Sequence, residues 1–78
     1  MKNLMNLVEE ADRVLLIKNG EVKADISWVS ENKWQAAEIG DTYFQEVSTK
    51  YVEDLLKLWG ALKGKIEHKD GLMTIYLK

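Results

Sequence analysis

Seventy-eight residues, 46% of them hydrophobic and 31% charged, make one soluble domain with a single small core. The absence of cysteine excludes disulfides, thiol catalysis and cysteine-ligated metals, and no apolar run approaches the ~18 residues of a membrane span. A net charge of -2, from thirteen acids against ten lysines and the single arginine Arg13, lacks the basic excess of a domain that grips phosphate backbones.

The N-terminal stretch MKNLMNLVEEADR is too polar and acidic for a secretion signal, so a cytoplasmic protein is expected. Leu4, Leu7, Val8 and Ala11 repeat at helical steps, so a short helix over about residues 2–12 is expected, with Asn3 as its N-cap. Glu9, Glu10 and Asp12 crowd its C-terminal end, where the helix dipole disfavours them, so packing must hold it. Next, RVLLIKNGEVKADISWV reads as a β-hairpin around Asn19-Gly20, a dipeptide that tolerates the two positive φ angles of a type I′ turn.

That two-residue loop sets Lys18 opposite Glu21, Ile17 opposite Val22, Leu16 opposite Lys23 and Leu15 opposite Ala24. The core face then carries Leu15, Ile17, Val22, Ala24, Ile26 and Trp28. Val14 and Leu16 fall on the other face and make the strand apolar on both sides. It is therefore expected to be central, with a second face covered by the first helix or a partner.

A three-residue loop, Ser30-Glu31-Asn32, sets Val29 opposite Lys33, Trp28 opposite Trp34 and Ile26 opposite Ala36. Ala36-Ala37 breaks strict alternation, consistent with a bulge. Gly40-Asp41 marks a turn, and residues 42–47 form a fourth strand or an irregular loop in which Phe44 and Val47 need burial.

Residues 48–64 carry the longest period in the chain. Val52, Leu55, Leu56, Trp59 and Leu62 recur at three- and four-residue steps, widened by Tyr51 and Leu58. Glu53 and Asp54 sit in its first turn and Lys57, Lys63 and Lys65 come late, as the dipole favours. Gly64 ends this helix in a left-handed conformation. Gly60, inside it, lets something bulky approach closely, either the sheet or a partner backbone. The chain closes in a hairpin around Asp70-Gly71, with Ile66 opposite Ile75 and His68 opposite Met73.

Together these elements define an α+β fold. An antiparallel meander of three to four strands plus a C-terminal hairpin packs against one long helix (about 48–63), with the short N-terminal helix (about 2–12) beside it.

No set of residues amounts to a catalytic, cofactor or metal site. His68 is the only histidine and has no orienting partner in the pattern. The acidic clusters lack calcium-loop spacing, and the glycines form no phosphate cradle.

A non-enzymatic protein-binding or regulatory module is expected, as a homodimer or with another protein. Trp34, Tyr51, Leu58, Gly60, Val14 and Leu16 are its candidate contact residues. Small inhibitors carried by phages and other mobile elements, anti-CRISPR proteins among them, share this size class. The segment Glu53–Leu62 resembles the inhibitory-helix region of the barstar family over about a tenth of the chain, and no site is carried over from it.

The alternative is a nucleic-acid binder using the sheet face or a local lysine patch. In element order alone, a helix, three strands and a helix, the chain resembles the double-stranded-RNA-binding domain. That resemblance implies a lysine-rich helix N-terminus, where this chain has only Lys50. Lys23 and Lys33 are the candidates on the sheet.

Overall fold

The computed structural model describes residue 8 and residues 11–78, apart from the side chain of Leu62. Six strands form one sheet: β1 (Arg13–Lys18), β2 (Glu21–Ser30), β3 (Lys33–Glu38), β4 (Gln45–Val47), β5 (Lys65–Lys69) and β6 (Leu72–Tyr76). Their order across the sheet is β4-β3-β2-β1-β6-β5. The helix α1 (Thr49–Leu58) and a 3-10 turn (Ala61–Lys63) connect β4 to β5. All neighbours are antiparallel except β1 and β6, which run parallel and join the C-terminal hairpin to the meander. β1 is thus central, as its doubly apolar sequence requires.

Both two-residue hairpins form as their dipeptides dictate. Asn19 and Gly20 have φ of 55° and 75°, and Asp70 and Gly71 have φ of 51° and 80°. Lys18 faces Glu21 and Ile17 faces Val22. In the last hairpin Ile66 faces Ile75 and His68 faces Met73, in the expected register. Residues 45–47 add the fourth strand, with Val47 opposite Trp34.

The first hairpin differs from expectation one residue further on. A bulge at Lys23 sets Leu16 opposite Ala24 and Leu15 opposite Asp25. One extra residue exchanges the two faces of the partner strand. Val14 and Leu16, expected on the second face as partner contacts, are therefore wholly buried core residues beside Ala24 and Ile26. Leu15 and Ile17 turn to the opposite, open face.

A second bulge, at Val29, shortens the expected three-residue loop. Ser30 pairs with Lys33 while Trp28 still faces Trp34 and Ile26 faces Ala36. No irregularity occurs at Ala36-Ala37.

The helix is shorter than its period suggests. Ser48 caps it, its Oγ accepting from the Tyr51 N–H at 3.2 Å. Asn32 Oδ1 accepts from the Thr49 N–H at 3.2 Å, so the β2–β3 turn also serves the helix N-terminus. Because the helix begins at Thr49, no acid lies in its first turn. Glu53 and Asp54 instead pair along the surface, with Lys57 and Lys50.

At the other end the two glycines exchange their expected roles. Gly60, at φ 66° and ψ 38°, ends the helix in the left-handed region, with open space where a Cβ would stand. Gly64 is extended, and a Cβ there would lie 2.6 Å from the Tyr76 carbonyl oxygen. It is Gly64 that permits close approach to the sheet.

The core is apolar, and among the described residues no polar or charged residue is buried within it. Val52, Leu55 and Leu56 from α1 share one buried cluster with Val14, Leu16, Ala24, Ile26, Trp34, Ala36, Met73 and Ile75. Trp59 and Ile66 pack partly against this cluster. The N-terminal helix expected over residues 2–12 lies largely outside the described residues. From that stretch, Val8 and Ala11 are buried in the same core.

Candidate functional site

The six contact residues expected from the sequence divide into two groups. Trp34, Val14 and Leu16 are interior, each at most 1% exposed. Trp34 is tied down further, its Nε1 donating to Thr49 Oγ1 at 3.0 Å. Tyr51, Leu58 and Gly60 lie on the outer flank and C-terminal end of α1, where Leu58 is 80% exposed.

Two of these residues line one feature. A shallow groove of about 160 Å³ runs between α1 and the end of β3, bounded by Glu38, Tyr51, Asp54, Leu55 and Leu58. Helical spacing explains the composition. Tyr51, Leu55 and Leu58 succeed one another at four- and three-residue steps, and Asp54 lies beside them. Glu38 enters from the sheet, where it closes a turn by accepting the Asp41 N–H on its carbonyl at 2.9 Å. Asp41 Oδ2 in turn accepts the Glu38 N–H at 2.9 Å.

Across the groove the Tyr51 hydroxyl donates to Glu38 Oε2 at 2.6 Å. That bond, then burial and the charges of Glu38 and Asp41, holds the phenol above the usual tyrosine range. The floor is apolar and the rim acidic. Glu53 is engaged with Lys57 at 2.9 Å, which keeps its carboxyl below the usual range, while Lys50 stands 3.7 Å from Asp54.

A second apolar surface is the open face of the sheet. Leu15 and Ile17 are half-buried there, and Val22, Leu72 and Tyr76 are more exposed. Arg13 holds Asp25 in its middle with two hydrogen bonds, one of them 2.9 Å from Nε to Oδ1.

Trp28, expected in the core, is half exposed, near the end of β2 and outside the buried cluster. Phe44, expected to need burial, is 47% exposed, and Ile39 and Tyr43 also face solvent. These three surface residues and Glu38 were missed as candidates. An exposed and a buried apolar residue in a loop look alike in sequence.

The lysines considered for nucleic-acid binding are partly committed, Lys23 to Glu21 and Lys50 to Asp54. Among the described residues no cluster of side chains could hold a metal ion, and no helix is long and apolar enough to cross a membrane. Compared with family models, with curated proteins and with solved structures, the chain finds no match in any of the three.

Proposed function

We propose that the protein is a small non-enzymatic binding module of the inhibitor or regulatory kind, docking another protein on the outer flank of α1. The observation that carries this reading is Leu58, which leaves 80% of its surface in water at the mouth of the groove floored by Tyr51 and Leu55. A leucine so placed adds nothing to the core, and covering it on association is favourable by the ordinary hydrophobic term. The groove is too small for an ordinary substrate, since small-molecule sites run to about 300–1,000 Å³.

The test is capture of partners from the native host by wild type and by Leu58→Lys, with an exposed substitution such as Lys78→Ala as control. A partner retained by wild type and the control but lost by Leu58→Lys, at unchanged thermal stability, supports the reading. A partner held equally by all three places the docking surface elsewhere. Light scattering distinguishes a second copy of this chain from a different protein.

A further inference from the structure

On the reading that the α1 groove docks a protein, we infer that its occupant is an arginine side chain carried on an exposed segment of that partner. The groove holds about 160 Å³, room for one long side chain rather than a ligand. Leu55 on its floor and Leu58 at its mouth suit the methylene stem of such a residue, which covers apolar surface while its head remains polar. The Tyr51 ring offers a face on which a guanidinium stacks. Glu38 and Asp54 stand at the rim, where an anion would be repelled and a cation attracted.

The rim carboxylates retain acceptor capacity. The Tyr51 hydroxyl takes Glu38 Oε2, and among the described residues no hydrogen bond reaches Oε1. Lys50 approaches only Asp54 Oδ2, at 3.7 Å, in an ion pair with side chains 84% and 59% exposed. Such a pair contributes little and yields readily to a better one. A guanidinium presents its donors in a planar fork that matches carboxylates bidentately while its face stacks on an aromatic ring, whereas a lysine ammonium is a compact point charge with no face to stack.

A second copy of this chain does not supply the residue. Arg13 is its sole arginine, and Asp25 already holds that side chain through two nitrogens. The occupant therefore belongs to a different protein.

The experiment selects binders from a library of random short peptides against the wild-type chain. The best binder is then resynthesised with citrulline in place of each arginine, which keeps the shape and removes the charge. The expected result is enrichment of arginine beside apolar residues, with amide shift changes centred on Tyr51, Leu55 and Leu58. Citrulline should weaken binding by about tenfold or more, the scale of a charge-assisted contact. In a Glu38→Gln/Asp54→Asn variant, arginine and citrulline peptides should bind alike.

Groove-binding peptides without arginine, or an affinity indifferent to citrulline, would overturn the inference while leaving the binding-module reading standing. Peptides that leave the groove amides unmoved would count against both. Asp54 is exposed and Glu38 half-buried, and a thermal unfolding curve shows whether the variant keeps its fold.

Discussion

The two faces of the sheet are made from the same strands and have opposite fates. On β1, Val14 and Leu16 are wholly buried beneath α1, whereas Leu15 and Ile17, with side chains of the same kind, lie half-buried on the open face. Composition does not distinguish them. What separates them is the bulge at Lys23 and the position of the helix, so burial here is a property of register. The same contrast holds for Trp34 and Trp28, which face each other across β2 and β3 on one side of the sheet. Trp34 donates to Thr49 at the helix N-terminus, while Trp28 stays outside the buried cluster and is half exposed.

The sharpest way to break this comparison is to truncate the tryptophans. Trp34→Ala should lose about 3–5 kcal/mol in urea unfolding, the scale of a large buried ring. Trp28→Ala should lose no more than about 2 kcal/mol, because half of its surface is already in water. Equal losses would mean that both rings are core. Leu16→Ala should cost about 2–5 kcal/mol and Leu15→Ala about 1 kcal/mol, measured in the same way. A reversal of that order would restore the register without the bulge.

The glycines give a smaller contrast. Gly64→Ala forces a methyl group against the Tyr76 carbonyl and should cost about 2 kcal/mol or more, an overpacking effect. Gly60→Ala meets open space and should cost about 1 kcal/mol, the penalty of a left-handed residue with a Cβ.

The smallest effect is a titration. In wild type, Tyr51 should ionise at a higher pH than an ordinary tyrosine, and Glu38→Gln should bring it back toward that range, read by ultraviolet absorbance. The folded chain holds this proton more tightly than the unfolded chain. The associated stabilisation is therefore present below the ordinary tyrosine range and is lost as pH rises through the folded value. At so exposed a site it should be slight.

Much of this fold was legible because turn chemistry and helical period are local signals. Asn19-Gly20 and Asp70-Gly71 set their hairpins, and Val52, Leu55 and Leu56 marked the buried stripe of α1. The bulge at Lys23 was not legible, since nothing local distinguishes that lysine from one paired in a regular ladder. Reading past it exchanged the faces of β1 and turned Val14 and Leu16 into false candidates.

Gly60 and Gly64 were confused for a related reason. A glycine needed for its positive φ and one needed for its missing Cβ are identical in sequence, and only the Tyr76 carbonyl tells them apart. Of the groove, Tyr51 and Leu58 were readable as surplus to the helical stripe. Glu38 was not, because it comes from a strand end brought alongside the helix by the sheet.

The parallel pairing of β1 with β6 also bears on how the chain reaches its final form. The central strand is completed on one side by its immediate neighbour β2 and on the other by residues almost at the end of the sequence. During synthesis β1 must wait, one edge bare, until Leu72–Tyr76 has emerged. Contacts of such long sequence separation slow folding. Removing the last seven residues would therefore do more than fray an end. It would take out the fifth of six strands, leave β5 without a neighbour, and expose an unpaired β1 edge of the kind that seeds aggregation.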